Sequence, residues 1–222
     1  MNVIFMRESD HLKESVLRLA GEVEMRLAEV LKAIGRRDTE ALQGWVERDT
    51  EIDEREVLIE EECLKILALH QPVARDLRFV VAVLKINNDL ERIGDIVVNI
   101  AEKGIRLVAF PATPQQEKCM LMGRLACAML KGSLDALIAL DAAKAMDVIR
   151  SDDAVDRLKA EVIASVVAQS AAADTGAATE PLILANGVAR DLERIGDHAT
   201  NIAEDVAYLV DGTIIRHKTR EE

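Results

Sequence analysis

The chain is poor in the residues that build sheets, cysteine frameworks and nucleic-acid surfaces. Only 2% of its 222 residues are aromatic, and four prolines leave long stretches uninterrupted, which favours helices over strands. The three cysteines show no Cys-x-x-Cys spacing, so we expect neither a disulfide framework nor a thiolate zinc site. A formal net charge of −12 argues against nucleic-acid binding, because neutralising phosphates requires an excess of lysine and arginine.

Long apolar runs and export signals are also missing. No stretch approaches about 18 uncharged apolar residues, and the N-terminal segment lacks a basic start followed by an apolar run. We therefore expect a cytoplasmic protein with no membrane insertion, for which peripheral association with membrane complexes stays open. Half of the residues are hydrophobic, which is sufficient for well-packed cores.

What the chain does contain is a repeat. The string Asp-Leu-Glu-Arg-Ile-Gly-Asp begins at Asp89 and again at Asp191, without a single difference between the two copies. The string Asn-Ile-Ala-Glu follows each copy at the same offset, starting at Asn99 and at Asn201. Self-similarity over a long period defines the folding unit, which here is about half of the chain.

Apolar residues recur every three or four positions along most of the chain, which is typical of amphipathic helices. Breaks at glycine, aspartate and proline divide this pattern into six predicted helices, near residues 12–35, 38–69, 73–108, 115–141, 144–172 and 180–210. Three long helices with short connections close into an antiparallel bundle. The sequence thus predicts an all-α protein of two tandem pseudo-symmetric three-helix bundles, comprising residues 1–111 and 112–215, with a polar tail at 216–222.

Acidic residues interrupt the apolar stripe on two neighbouring helices of each half. They are Asp49, Asp53, Glu91 and Asp95 in the first half, and Asp152, Asp156, Glu193 and Asp197 in the second. Members of each pair are four residues apart and therefore share a helix face. The facing pairs are centred on Pro72 in the first half and on 174–175 in the second, which are the predicted hairpin turns. The spacing therefore predicts four carboxylates at one level of each bundle.

A group of buried carboxylates must lose its charge or bind a cation, since desolvation of each unpaired ion is costly. Oxygen-rich groups suit Mg²⁺, Ca²⁺ or Mn²⁺, and carboxylate bridging also suits iron. The alternative interpretation is that the acids line a solvent-facing seam or pair with nearby arginines, namely Arg75, Arg78, Arg92, Arg190 and Arg194. Arg92 and Arg194 follow their glutamates by one position, a rotation of about 100°, so we predict that they belong to an adjacent surface.

Patterns typical of catalysis are not recognisable in the sequence. The two Glu-x-x-His motifs of the di-iron bundle enzymes are not present, since the chain has a single instance at Glu8 to His11, and Gly-rich phosphate loops and nucleophile elbows are missing. His198 has Ile96 as its counterpart, so a shared role as a ligand is not expected. Gly94 and Gly196 recur inside both motifs, which suggests close approach of a neighbouring helix. We expect a protein that is not an enzyme.

The duplicated Glu-Arg-Ile-Gly-Asp followed by Asn-Ile-Ala-Glu, each with an upstream Asp-x-x-x-Asp, resembles the PhoU family of phosphate-signalling regulators. The resemblance extends over nearly the whole chain, including 71–78 before the first motif and 197–202 in the second. It implies two three-helix bundles that hold multinuclear metal clusters, with iron as the first choice and zinc, manganese, magnesium or calcium as others. The ligands that it implies are the eight carboxylates named above, with Asn99, Glu102, Asn201 and Glu204 as secondary candidates.

The resemblance also implies a function, which is negative regulation of the phosphate-starvation response and of phosphate uptake. Its partners would be the ATPase subunit of a phosphate ABC transporter and a phosphate-sensing histidine kinase, with the protein acting as an adaptor and as a homodimer. Three alternatives stay open: a regulator of phosphate transport that contacts no kinase, a metal-dependent enzyme, and a bundle whose acids bind nothing. The copies differ just before the repeated string, where the first has Asn87-Asn88 and the second has Ala189-Arg190, so equal metal occupancy is not implied.

Overall fold

The structure is a computed structural model that describes residues 3–48, 50–172 and 179–213, and within these ranges it is helical with no strand. Its helices are α1 (Val3–Arg36), α2 (Thr39–Val46), α3 (Thr50–His70), α4 (Ala74–Leu107), α5 (Pro114–Ala139), α6 (Ala142–Ala172) and α7 (Thr179–Asp211). The all-α prediction is confirmed. The predicted turn at 174–175 and the predicted tail at 216–222 lie outside the described residues.

The second predicted helix, near 38–69, is interrupted and forms α2 and α3. Asp38 caps the start of α2 as predicted, because its carboxylate accepts a hydrogen bond from the Ala41 amide at 3.0 Å. The interruption follows Val46, where the Arg48 carbonyl accepts a hydrogen bond from Arg26 Nη1 of α1 at 2.7 Å. Both arginines also lie over the Trp45 ring, at 5.8 Å for Arg26 and 5.4 Å for Arg48. A buried side chain of α1 thus stabilises the break.

The helices form two three-helix bundles in chain order. In the first, α1, the α2–α3 pair and α4 pack together, and in the second α5, α6 and α7 do so. The long helices α4 and α7 also pack against each other, and α1 packs against α5, so one apolar core runs through both bundles. The division of the chain into two repeats at 111/112 stays a prediction.

The connection between the bundles is short and well capped. Thr113 begins α5 with a capping box, in which its hydroxyl accepts from the Gln116 amide while Gln116 Oε1 accepts from the Thr113 amide. Pro114 stands at the first helical turn, where its missing N–H costs no hydrogen bond. This local chemistry sets where the second repeat starts.

The cysteines are free thiols. Cys63 and Cys119 are buried and Cys127 is half-buried. Burial raises the pKa of Cys63 and of Cys119 to about 12, so both are protonated and inert at neutral pH. Among the described residues, none of the helices combines the length and apolar composition needed to cross a membrane.

Candidate metal site

Three of the four carboxylates predicted in the first half meet between α3 and α4. Asp53, Glu91 and Asp95 each present an oxygen, and these three atoms all lie within 4.8 Å of one another. Among residues 3–48, 50–172 and 179–213, this is the one group of three acidic, histidine or cysteine side chains with such a spacing. Asp49, the fourth predicted member, lies outside the described residues. We call Asp53, Glu91 and Asp95 the first cluster.

The packing of α3 on α4 brings these acids together. Glu91 and Asp95 are one turn apart on α4 and are flanked by the fully buried Leu90 and Ile93. Gly94 lies between them, and a β-carbon there would be only 2.8 Å from Ile52 Cδ1 of α3. The predicted close approach at Gly94 is therefore confirmed. It lets α3 lie near enough to α4 for Asp53 to reach its partners.

Burial and mutual repulsion disfavour negative charge in the first cluster. The pKa of Glu91 is raised, first because the half-buried carboxylate loses water and then because Asp95 repels it. Arg92 opposes this shift: its Nε lies 3.4 Å from Glu91 Oε2 and its Nη1 lies 3.6 Å from Asp95 Oδ2. The prediction that Arg92 belongs to an adjacent surface is therefore wrong. Its long side chain reaches back around the helix.

Glu56 is a further acid at the first cluster that the sequence interpretation did not include among the candidate ligands. Burial raises the pKa of Glu56, and Glu60 and Asp53 add repulsion. The fully buried Asn87 of α4 donates through Nδ2 to the Glu56 carbonyl at 2.9 Å and to Glu56 Oε1 at 3.1 Å. The signal in the sequence was the spacing, since Glu56 follows Asp53 by three residues and so lies on the same helix face.

The acids of the second half, which we call the second cluster, lie between α6 and α7 and interact with one another. They are Asp152, Asp156, Glu193 and Asp197. The pKa of Asp152 is raised to about 6, because partial burial disfavours its charge and because Asp197, Asp156 and Glu193 repel it. The pKa of Asp197 is also raised, because partial burial removes water from its carboxylate and because Glu193 and Asp156 repel it.

A lysine of α6 is part of the second cluster. The Lys159 ammonium donates a hydrogen bond to Glu193 Oε1, and both side chains are mostly buried. Gly196, between Glu193 and Asp197, faces α6, and a β-carbon there would lie only 3.3 Å from Asp152 Oδ1. The absence of that carbon lets the Asp152 carboxylate approach α7. The close approach predicted for Gly196 is thus confirmed.

The first residue of each repeated string has a different task, which the sequence interpretation also missed. Asp89 of α4 is 7% exposed and accepts at 2.8 Å from His198 Nδ1 of α7. Asp191 of α7, equally buried, pairs at 2.7 Å with Lys103 Nζ of α4. These buried aspartates connect the two bundles. His198 is thus directed to Asp89.

Three of the four secondary candidates have neighbours that the structure identifies. Asn99 donates to the Asp95 carbonyl at 2.9 Å, so its amide is engaged with the backbone of its own helix. Asn201 Nδ2 lies 3.4 Å from Asp89 Oδ1, at the contact between the bundles. Glu102 lines a surface groove with Gln43 and Lys103. Their part in binding a metal stays a prediction.

The donor set fits a hard cation. All eight of the primary predicted ligands are carboxylates, and oxygen ligands are those that Mg²⁺, Ca²⁺, Mn²⁺ and iron prefer. In both clusters the pKa values of half-buried acids are raised, which means that a nearby positive charge would relieve repulsion. Asp53, Glu91 and Asp95 already converge on one point. The residues present therefore fit a hard cation, and metal binding itself stays a prediction.

Comparison with known proteins assigns the family. A family model described as the PhoU domain matches the chain twice, at residues 16–104 and 120–206. The chain belongs to the PhoU family. Each matched range contains one of the two acid clusters and most of one bundle, so the internal repeat is a tandem pair of PhoU domains.

Relatives are similar over almost the entire chain. The phosphate-specific transport system accessory protein PhoU of Serratia marcescens is 32% identical over 214 residues, which are 96% of this chain and 87% of the relative. The phosphate-specific transport system accessory protein PhoU homolog of Pseudomonas aeruginosa is 36% identical over 214 residues, which are 96% of this chain and 88% of the relative. Such relatives are accessory proteins of phosphate transport by description.

Solved structures show the same architecture. The crystal structure of PhoU from Pseudomonas aeruginosa superimposes with a TM-score of 0.88 at 34% identity, and the match covers 94% of this chain and 100% of that one. The phosphate transport system regulatory protein PhoU from Streptococcus pneumoniae gives a TM-score of 0.86 at 27% identity, covering 95% and 98%. The arrangement of two pseudo-symmetric bundles is thus that of the family.

Proposed function

We propose that this protein is a negative regulator of phosphate uptake and of the phosphate-starvation response. The observation that carries the proposal is the double match to the PhoU domain together with near-complete alignment to accessory proteins of phosphate-specific transport systems. The first experiment is to delete the gene in its native host and to restore it on a plasmid. We expect phosphate uptake and phosphate-responsive expression to rise in phosphate-rich medium, and to fall again on restoration.

Two outcomes separate the versions of this proposal. Uptake and expression that both stay unchanged after deletion would overturn it. A rise in uptake with unaltered phosphate-responsive expression would instead support a regulator that acts on transport without a histidine kinase. The deletion strain carrying the empty plasmid is the control for both measurements.

The proposal includes an adaptor role between the ATPase subunit of a phosphate ABC transporter and a sensor histidine kinase, at the cytoplasmic face of the membrane. Exposed apolar side chains on the outer side of α3 support it: Leu58 is 63% exposed and Leu64 is 54% exposed. We expect the ATPase subunit to co-purify with the intact protein, and Leu58→Gln with Leu64→Gln to reduce the recovery. The matched control is Ile138→Gln, on α5, because Ile138 is similarly exposed. This variant should recover as much ATPase subunit as the native protein does.

The proposal also includes assembly as a homodimer. Dimer formation would present two copies of each surface to the transporter, and it is measured by analytical ultracentrifugation of the full chain. A single species with the mass of one chain at micromolar concentration would exclude the dimer.

Metal binding by the two clusters is the chemical part of the proposal. The ligands would be Asp49, Asp53, Glu91 and Asp95 in the first repeat and Asp152, Asp156, Glu193 and Asp197 in the second. Support comes from the 4.8 Å convergence of the first cluster and from the raised pKa values in both. Iron is the metal we favour, and zinc, manganese, magnesium and calcium are the others.

Metal content is tested by plasma mass spectrometry on protein purified without added metal or a histidine tag. The comparison is with a double variant, Asp95→Asn with Asp197→Asn, and with Asp147→Asn, an exposed aspartate of α6 outside the clusters, as control. We expect metal in the native protein and in the control and its loss in the double variant. Absence of metal from all of them, even after reconstitution, would leave these acids as docking or salt-bridge groups.

A further inference from the structure

The two clusters differ in charge at one matched position. When Asp53 of α3 is aligned with Asp156 of α6, the residue three positions later is Glu56 in the first repeat and Lys159 in the second. Both residues lie one turn from the matched aspartate and therefore on the same helix face. On the partner helices α4 and α7 the charged residues of the repeated string are identical, since Asp, Glu, Arg and Asp recur in the same order. The repeats thus differ by two charge units at this one site.

Lys159 points into the second cluster. Its ammonium donates to Glu193 Oε1 and also acts electrostatically on Asp156 and Asp197. Its side chain is only 26% exposed, and that of Glu193 is 18% exposed, so the pair is poorly screened by solvent. The ammonium therefore supplies, inside the protein, part of the positive charge that a metal ion would bring.

Glu56 adds negative charge at the same place in the first cluster. Its Oε1 accepts from the buried Asn87 Nδ2 at 3.1 Å, and this hydrogen bond holds the side chain toward α4. The carboxylate is near enough to Glu91 to repel it. The first cluster thus has an additional acid where the second has an internal cation.

The arginine of the repeated motif supplies a positive charge to the first cluster, but a more exposed one than Lys159. Arg92 in the first repeat and Arg194 in the second occupy the same motif position. Arg92 is 53% exposed, and its nitrogens lie 3.4 and 3.6 Å from Glu91 and Asp95, so it lies at the solvent side of the first cluster. Lys159 is more buried than Arg92 and is hydrogen-bonded. In the second cluster His198 also acts on Asp197, and its counterpart in the first repeat is Ile96. Glu56 and Lys159 are therefore the matched pair of opposite charge, and the more buried cation lies in the second cluster.

We propose that Lys159 is a built-in counterion of the second cluster, and that it makes the two carboxylate sites unequal, the first binding divalent cations more tightly than the second. The inference rests on the proposed metal binding and specifies which residues control it. A divalent ion at the first cluster would meet Asp53, Glu91 and Asp95, with Glu56 close to Glu91, and among the described residues its cationic neighbour is the half-exposed Arg92. At the second it competes with an ammonium already bonded to Glu193. Since the charges differ by two units in a partly desolvated site, we expect at least about a tenfold difference in affinity.

The test uses Mn²⁺ alone, titrated into the metal-free full chain. Free Mn²⁺ is followed by electron paramagnetic resonance, which reports binding without any biological activity. We expect two classes of site that differ at least about tenfold in dissociation constant. Asp95→Asn should remove the tight class, and Asp197→Asn should remove the weak class.

Exchange of the distinguishing residues provides the decisive variants. Lys159→Gln is expected to tighten the weak class by about tenfold, while Lys159→Arg, which keeps the positive charge, should leave it unchanged. Glu56→Lys should weaken the tight class until the two classes coincide. Glu54→Lys is the matched control, because Glu54 is exposed on the same helix and undergoes the same change of charge away from the cluster. Circular dichroism checks that each variant is folded.

The outcomes distinguish this inference from the proposal beneath it. No Mn²⁺ bound by the native chain, or binding unaffected by Asp95→Asn and Asp197→Asn, would overturn metal binding itself. Two equal classes in the native chain would overturn the inference alone. A weak class unchanged by Lys159→Gln would do the same. If Lys159→Gln fails to fold, Glu56→Lys tests the same charge difference from the other side.

Discussion

Replacement of Asp152 by asparagine should stabilise the metal-free protein. The pKa of Asp152 is raised from 3.8 to about 6 by burial and by the repulsion of Asp197, Asp156 and Glu193. A shift of about two pKa units corresponds to about 3 kcal/mol, which solvent screening of this half-buried group reduces to about 1 kcal/mol. Asparagine has the same shape and carries no charge, so it should remove this penalty.

The dependence on pH follows from the sign of the shift. A folded-state pKa above the unfolded one means that the folded state binds more protons between about pH 4 and pH 6. The penalty from ionised Asp152 is therefore fully present above pH 6, and it disappears as the pH falls toward 4. At pH 7.5 we expect Asp152→Asn to raise the free energy of unfolding by about 1 kcal/mol and the melting temperature by about 2–4 °C. At pH 4 the variant and the native protein should unfold alike.

The assay is thermal and urea unfolding in the presence of a chelator, at both pH values. Asp153→Asn is the matched control, because Asp153 is the exposed neighbour on the same helix and contributes least to the shift of Asp152. A variant that is less stable than the native protein at pH 7.5, or a gain of equal size at pH 4, would refute the repulsion argument. With metal added, the order should reverse, because the native carboxylate then gains binding energy that the amide cannot supply.

Two further predictions concern packing and the contact between the bundles. Gly94→Ala should lower the free energy of unfolding by about 1 kcal/mol net, because the new β-carbon would lie 2.8 Å from Ile52. Gly21→Ala should raise the free energy of unfolding by up to about 1 kcal/mol, because no atom lies within 4 Å of the new β-carbon and alanine favours the helix. Urea unfolding measures both variants, and equal effects would contradict the packing argument. Lys103→Met should lower the free energy of unfolding by about 2–4 kcal/mol, because Asp191 then stays buried without its cation. Adding Asp191→Leu should restore part of this loss, which a double-mutant cycle measures. If the effects of the two single variants simply add, the two residues are not coupled.

Much of the fold follows from local pattern in the sequence. The direction of a side chain on a helix depends only on its position, so the three-to-four spacing of apolar residues correctly predicted the helical stretches and their buried faces. The same rule placed Glu91 and Asp95 on one face, and the common centre at Pro72 correctly brought Asp53 opposite to them. The repeat predicted that the chain folds as two similar bundles.

The interruption between α2 and α3 could not be predicted in this way. Residues 46–50 contain no glycine or proline that would mark a break, and the Arg48 carbonyl there accepts a hydrogen bond from Arg26, on α1. A similar limit applies to Arg92, whose backbone direction points away from the acids while its long side chain bends back to them. Position on a helix determines where a side chain starts, but the charges around it determine where a flexible side chain ends.

The sequence by itself determined the helices, the repeat and the pairing of acids within each hairpin, because these depend on spacing along one chain segment. Only the tertiary structure decided which faces of the two bundles meet. At this interface Asp89 and Asp191 are buried. Asp89 contacts His198 of the other bundle, and Asp191 contacts Lys103. It also decided that Lys159 turns inward to Glu193. Partners distant in sequence are selected by packing and by the cost of burying an unpaired charge, and neither leaves a periodic signal along the chain.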